Sequence, residues 1–335
     1  MRLRHATAAS LLGLALALML PTASAAQGHV FIRWWGGLGA GNGQFVQPVG
    51  VAVSPNGRVY VVDAQLPRVQ VFDLNGHYLS QWGTGGTGPG QLYSVVGLAI
   101  DRDGIVYIAD GGNARIQKFT SEGAFLAQWG SRGSGPGQFG GDNTGTSPVV
   151  INVAVNDHAL VFVSDTSLNR VQIFTNTGTC IGVWGTPGTG NGQFHFADGM
   201  ATDSQNNVYV ADSGNRRIQK FTEFGEYLTQ WGAPGLGGAV FERPVRMAVD
   251  SRDNVYVVDY GLDRVDIFSN NGAMFNQFGS SGTQTGQFQS PIGIAVDFGF
   301  NIYVADANNS RIQKFGIAAT PVASLSWGRL KERYR

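Results

Sequence analysis

Apolar and polar residues alternate in short segments along most of the chain, and these segments recur. Residues 208–221 read Val-Tyr-Val-Ala-Asp-Ser-Gly-Asn-Arg-Arg-Ile-Gln-Lys-Phe: an apolar run ending at Asp, a polar turn, and a run that alternates apolar with polar residues. Both runs are typical of short β-strands, the second of a strand with one buried face. Five similar segments begin at Val59, Val106, Val161, Val255 and Ile302.

The six segments are regularly spaced. Each holds an Asp at the same place, namely Asp63, Asp110, Asp165, Asp212, Asp259 and Asp306. Successive Asp residues lie 47 positions apart, except for the step of 55 between the second and the third. An Arg follows five positions after each Asp, at Arg68, Arg115, Arg170, Arg217, Arg264 and Arg311. A fixed period of this size indicates a repeat architecture.

Two further strands are predicted in each repeat. One ends in an aromatic residue followed by Gly, and a glycine-rich loop then leads through Gly-Gln-Phe or a variant to a short apolar strand. Six repeats of four antiparallel strands predict an all-β fold, a six-bladed β-propeller. The sixth repeat lacks its own aromatic-Gly strand, whereas residues 29–35 form a spare one. We therefore expect the N-terminal strand to complete the last blade and close the ring.

The two ends of the chain depart from the repeat. Arg2 and Arg4 precede an apolar run at residues 11–20 and an Ala-Ser-Ala triplet at 23–25, which is typical of a secretory signal peptide cleaved after Ala25. A membrane anchor is the alternative, but the run is short for a bilayer. The predicted organisation is a signal peptide at 1–25, a propeller at 26–316 and a basic tail at 317–335. The mature protein would be secreted, to the periplasm or the cell exterior, without a membrane span.

Composition narrows the classes of function. The 335 residues carry 23 basic and 23 acidic side chains, so the formal net charge is zero and no electrostatic attraction to nucleic acid is expected. Cys180 is the one cysteine, so the exported chain would have no internal disulfide. We expect this cysteine to be a small buried residue.

The repeated elements resemble a known family. Gly-Gln-Phe, Val-Tyr-Val-Ala-Asp, Arg-Ile-Gln-Lys-Phe and Gln-Trp-Gly look like parts of the NHL repeat, and the resemblance covers residues 30–315. It implies a six-bladed propeller. Members of the family serve mostly as binding platforms, and some proteins with similar propellers are lyases or hydrolases, so the resemblance limits the function only loosely.

Residues present in all six repeats are expected to be structural. The Asp that ends the second strand and the Arg that begins the third face each other across a tight connection, where they can form a charge-assisted pair. The aromatic residues at the end of the fourth strand are expected to pack between blades. They include Trp82, Trp129, Trp184 and Trp231.

A ligand site is expected where the repeats differ. The short apolar strand of each repeat is expected to be the innermost strand of its blade. The residue just before this strand is Gly in four repeats, but it is Asn152 in the third and Arg246 in the fifth. One position earlier, only Asp198 is polar. The loops nearby add His195, Glu242 and Tyr260, and the extra residues of the third repeat lie within 140–150.

The predicted site consists of the six named residues Asn152, Asp198, Arg246, Tyr260, His195 and Glu242, on one face near the channel mouth. Two simpler explanations stay open, that Asp198 and Arg246 only pair with each other, or that the repeats have drifted. The sequence favours a binding module for a protein, peptide or glycan. The alternative is a lyase or hydrolase at the channel mouth. No catalytic residue, metal ligand or cofactor is predicted, because the four histidines after residue 25 are spread over different loops.

Overall fold

The computed structural model describes residues 28–141, 151–233 and 240–318. These residues form six four-stranded antiparallel sheets, which we number as blades 1 to 6. The innermost strands of blades 1 to 6 are Pro48–Val53, Val95–Ile100, Ile151–Val155, Ala197–Thr202, Pro244–Val249 and Pro291–Val296. The second strands are Arg58–Asp63, Val106–Asp110, Val161–Asp165, Val208–Asp212, Val255–Asp259 and Ile302–Asp306. The third strands are Val69–Asp73, Arg115–Phe119, Arg170–Phe174, Arg217–Phe221, Arg264–Phe268 and Arg311–Ile317. The outer strands are Tyr78–Trp82, Phe125–Trp129, Cys180–Trp184, Tyr227–Trp231, Met274–Phe278 and His29–Gly36.

The six sheets form a closed ring. The inner strand of each blade contacts the inner strands of both neighbours, and blade 6 contacts blade 1. Within the sixth sheet, His29–Gly36 pairs antiparallel with Arg311–Ile317, so that Trp35 lies opposite Ile312. The predicted all-β propeller and its closure by the N-terminal strand are therefore confirmed. The predicted signal peptide at 1–25 lies outside the described residues, as does nearly all of the predicted tail.

The core lies between the blades. The second strands are buried because their apolar residues face neighbouring sheets on both sides, as in Val208–Asp212. The outer-strand Trp residues also pack between blades, as predicted. Trp184 of blade 3 lies 6.0 Å from Phe221 of blade 4, ring centre to ring centre. It also lies against Gly225, where an added Cβ would come within 2.8 Å of the indole.

The predicted pairing of Asp with Arg holds in four blades. The Arg Nε atom lies 2.8 Å from the Asp carboxylate in blade 2, 3.4 Å in blade 3, and 2.7 Å in blades 4 and 6. The prediction is wrong for blades 1 and 5. Arg68 instead donates to backbone carbonyls of the incoming loop, and Arg264 pairs with Asp266, which replaces the Gln of the other five blades.

The six Asp residues also position the loops that enter the inner strands. Each carboxylate accepts a hydrogen bond from a backbone N–H of the incoming loop, at 2.7 to 3.2 Å. In blade 4 this donor is the N–H of His195, and in blade 5 it is that of Glu242. The incoming loop and the connection between the second and third strands are thus held together on one face, which we call the loop face.

Candidate functional site

Three predicted site residues lie in inner strands and not on a loop. The inner strands of blades 4 and 5 begin at Ala197 and Pro244, earlier than predicted, so Asp198 and Arg246 belong to these strands. Asn152 likewise lies in the inner strand of blade 3. The prediction that Asn152 and Arg246 come just before the inner strands is therefore wrong, because these strands begin one residue before Asn152 and two residues before Arg246.

Arg246 crosses the channel and joins three blades. Its Nη1 atom donates to the carboxylate of Asp198 in blade 4. Its Nη2 atom donates to the carbonyl of Val96 in blade 2, at 2.8 Å. The side chains of Arg246 and Asp198 are 12% and 15% exposed, so the pair is largely shielded from water. The simpler explanation, that these two residues pair with each other, is what the structure shows.

Glycine in the neighbouring strands makes room for these polar side chains. An added Cβ at Gly199 would lie 3.1 Å from Cδ of Arg246, and one at Gly97 would lie 2.3 Å from Oδ1 of Asn152. Asn152 is 5% exposed, and its Oδ1 accepts a hydrogen bond from the N–H of Val153. The channel narrows here to a space of about 40 Å³. Asn152 and Arg246 therefore fill the channel.

A larger pocket opens on the loop face beside the channel. Its volume is about 820 Å³, and we call it the blade 3–5 pocket. Six side chains give it its character: Phe196, Asp198, Arg216, Glu242, Arg243 and Tyr260. Hydroxyl groups of Thr166, Ser167 and Ser213 also line it. The pocket thus combines two aromatic rings with charges of both signs, as small-ligand sites commonly do.

The six predicted residues are divided between these places. Asp198, Glu242 and Tyr260 line the blade 3–5 pocket, whereas Asn152 and Arg246 line the narrow channel. His195 lies on the exposed loop face with its ring stacked on Phe196, 4.4 Å between ring centres. The pocket is therefore formed by the loops of blades 3, 4 and 5, the three neighbouring blades singled out by the sequence.

Sequence reasoning missed Phe196 and Arg216. Phe196 has a left-handed backbone conformation, with φ of 62°, and its side chain is 51% exposed. Ser94 and Ser290 occupy the same place in blades 2 and 6, also with positive φ. A bulky residue in this conformation is rare and marks local strain. A Phe at a position where the second and sixth repeats have Ser was the signal that could have revealed it.

The loops around the pocket are fixed by hydrogen bonds. The N–H of Phe196 donates to the side-chain oxygen of Asn169 at 2.6 Å, and its carbonyl accepts from the N–H of Ser213 at 3.1 Å. The hydroxyl of Thr166 donates to the carbonyl of Ala197 at 2.6 Å. Beneath the pocket, burial raises the pKa of Asp165, while hydrogen bonds from Gly140 and Arg170 oppose this shift. The pocket walls are therefore preorganised.

A second cavity, of about 400 Å³, opens at the other end of the channel. Turn carboxylates surround it, and those of Asp101, Asp203, Asp250 and Asp297 accept hydrogen bonds within their own turns. Asp203, for example, accepts the N–H groups of Gln205 and Asn207 and the hydroxyl of Tyr209. Burial acts to raise its pKa, but hydrogen bonds from Asn207 and Lys220 outweigh it, so the pKa is lowered. These carboxylates are structural.

Within the described ranges, no three metal-binding side chains cluster together. No helix there is long and apolar enough to cross a bilayer.

Fold and pocket define the class of protein: a six-bladed β-propeller with an asymmetric pocket on its loop face. The model of the NHL repeat matches residues 45–72, 92–119, 194–221 and 288–315, which lie in blades 1, 2, 4 and 6. The chain belongs to the NHL-repeat β-propellers.

Solved structures share the fold at low sequence identity. A streptogramin B lyase aligns with a TM-score of 0.59 and 13% identity, over 86% of this chain and 98% of that chain. A catalytically inactive virginiamycin B lyase from Staphylococcus aureus, with quinupristin, aligns at 0.57 and 15%, over 85% and 100%. A putative gluconolactonase aligns at 0.57 and 12%, over 85% and 92%. No curated protein matches the sequence. Identities this low indicate a common fold only.

Proposed function

We propose that this protein is an exported binding module that holds a protein, peptide or glycan ligand in the blade 3–5 pocket. The observation that carries the proposal is the exposed Phe196 ring, held in a strained backbone conformation at the edge of an 820 Å³ pocket. Ser94 and Ser290 have the same left-handed backbone conformation in blades 2 and 6, so it is the exposed Phe side chain, and not the backbone conformation, that is particular to this pocket. The family model does not match blades 3 and 5, which flank this pocket on both sides.

The repeat itself provides the test variant and its control. Phe196→Ser installs the residue that blades 2 and 6 carry with the same left-handed backbone, so the fold should be retained. Ser94→Ala is the matched control, because it alters the same position in a blade outside the pocket. Purified wild type and both variants would be applied to arrays of soluble oligosaccharides and peptides.

Phe196→Ser should weaken every ligand captured by the wild type about fivefold, because one aromatic contact contributes about 1 kcal/mol. Ser94→Ala should bind like the wild type. Equal binding by all three proteins would refute the assignment of the pocket. Conversion of a captured probe, detected by mass spectrometry, would favour the lyase or hydrolase alternative.

Export is tested separately. A C-terminally tagged chain should be recovered from the periplasm or medium, shortened by about 25 residues as signal-peptide cleavage requires. A variant without residues 2–25 should stay in the cytoplasm. Recovery of full-length protein in the cytoplasmic fraction would contradict export without affecting the pocket.

A further inference from the structure

We infer that the ligand of the blade 3–5 pocket is an acidic sugar, a short oligosaccharide of uronic-acid units. This inference rests on the proposed function and names the class of ligand. It is based on three features of the pocket: its unpaired positive charges, its two aromatic faces, and backbone N–H and C=O groups that are already hydrogen-bonded to one another.

The charges of the pocket favour an anion. Asp198 is neutralised by Arg246, which leaves Glu242 as the acidic side chain without an ion pair among the described residues that line the pocket. Arg216 and Arg243 form no ion pair with any residue that the structure describes. Guanidinium groups bind carboxylates through two parallel hydrogen bonds, which a single Lys cannot do. Two such groups against one acidic side chain therefore select a ligand that carries carboxylates.

The aromatic rings favour a ligand built of rings. Phe196 is half exposed at the pocket wall, and Tyr260 lies on the opposing loop of blade 5. The guanidinium of Arg243 lies over the Tyr260 ring, 5.0 Å from its centre, so cation and ring form one surface. The C–H face of a pyranose can lie on an aromatic ring while its carboxylate reaches a neighbouring guanidinium.

The backbone of the pocket disfavours an extended peptide. Peptides that bind as an added strand need free N–H and C=O groups on the receptor. Here the N–H of Gly214 donates to the carbonyl of His195 at 2.7 Å, and the N–H of Tyr260 donates to that of Arg243 at 2.9 Å. These groups are already paired with each other. Recognition is therefore left to side chains, among which Glu242 can accept hydrogen bonds from sugar hydroxyls.

The inference is tested by calorimetry with matched probes. Trigalacturonate and trimannuronate are trisaccharides of uronic acids that differ in the sugar and in the glycosidic linkage. Their fully methyl-esterified forms keep the rings but lose the charge. Triglutamate supplies a similar charge on a peptide. At least one free uronate should bind tenfold or more tightly than its ester, and its affinity should fall as salt is raised. Triglutamate should bind more weakly than that uronate.

Variants assign the effect to the two guanidinium groups. Arg216→Gln combined with Arg243→Gln should abolish the preference for the free acid, so that the free uronate and its ester bind this variant with equal affinity. Arg252→Gln is the control, because Arg252 also stacks on an aromatic ring, Phe300 at 3.9 Å, but outside this pocket. It should bind like the wild type.

Three results would overturn the inference: equal affinity for acid and ester, tighter binding of triglutamate, or no binding of either uronate. The first two leave the proposed function intact, provided that Phe196→Ser weakens the bound probe. The third is separated from a failure of the proposed function by the array experiment, which uses neutral sugars and peptides as well.

Discussion

Removal of the Arg217 side chain tests how the repeated Asp–Arg pair stabilises the ring. The guanidinium links side chains of the second and outer strands of blade 4. Its Nε atom lies 2.7 Å from the Asp212 carboxylate, and its Nη1 atom lies 2.7 Å from Oε1 of Gln230. Its Nη2 atom donates to the carbonyls of Gly190 and Gln193, at 2.7 and 2.9 Å. Arg217 is 5% exposed and Asp212 is not exposed at all.

Arg217→Ala would leave a buried carboxylate without its counter-charge and would remove one of the two donors from each of the loop carbonyls of Gly190 and Gln193. Removal of one partner of a buried ion pair costs about 3–5 kcal/mol. Asp212 would keep its hydrogen bonds from the N–H of His195 and from Asn215 and Gln219, so we expect the lower part of this range. The loss should appear as a lower midpoint in urea.

Blade 1 supplies the matched control. Arg68 occupies the same place, donates to the carbonyls of Ala40, Gly41 and Gln44, and has no Asp partner. Arg68→Ala should therefore cost only about 1–2 kcal/mol, since its bonds are to neutral groups. The difference between the two variants isolates the contribution of the carboxylate. A loss for Arg217→Ala no greater than that for Arg68→Ala would refute the role given to the pair.

Three further predictions concern the other blades. Burial raises the pKa of Asp266 to about 6, although Arg264 opposes this shift. The folded protein therefore favours the protonated carboxyl, and the stability that this adds is present below about pH 4 and lost as the pH rises through 6. Urea unfolding between pH 4 and 7 should show this dependence, and Asp266→Asn should flatten it. Trp184→Phe should change the unfolding free energy by less than about 1.5 kcal/mol, because the buried indole N–H has no partner and Phe278 fills the same place in blade 5. Urea midpoints of this variant and the wild type decide it. Deletion of the closing strand His29–Gly36 should lower the thermal midpoint sharply, since it exposes an edge of blade 6; an unchanged midpoint would show that closure contributes little.

The ring could be predicted because every blade repeats the same local signals. The spacing of Asp63 and its five equivalents gave the number of blades, and the spare strand near the N-terminus predicted the closure. The partners of Arg68 and Arg264 could not be predicted, since they depend on distances between loops. In blade 5 the sequence carried a sign of the change, because Asp266 stands where the other blades have Gln.

The pocket could be predicted only in part. Asp198, Glu242 and Tyr260 were found because they interrupt the repeat, and the structure places all three around one space. Arg246 interrupts it too, but its length lets it cross a channel whose width the sequence does not reveal. Phe196 was missed because its importance depends on a backbone conformation, and hydrophobic pattern does not encode φ.

The division of roles between the channel and the pocket follows from the packing of the inner strands. The inner strands approach one another so closely that an added Cβ at Gly199 would lie 2.4 Å from the carbonyl of Val245, and one at Gly97 would lie 2.3 Å from Oδ1 of Asn152. A substitution in the channel therefore affects residues of more than one blade, so single substitutions there are difficult to accommodate. The loop face also has glycines beside its variable side chains, since an added Cβ would lie 2.5 Å from Nδ1 of His195 at Gly214 and 2.7 Å from Cγ of Glu242 at Gly261. Its loops, however, are held by backbone N–H groups of these two residues, which donate to Asp212 and Asp259. These backbone hydrogen bonds do not involve the side chains of His195 and Glu242, so we expect smaller side chains at these two positions to be compatible with the fold.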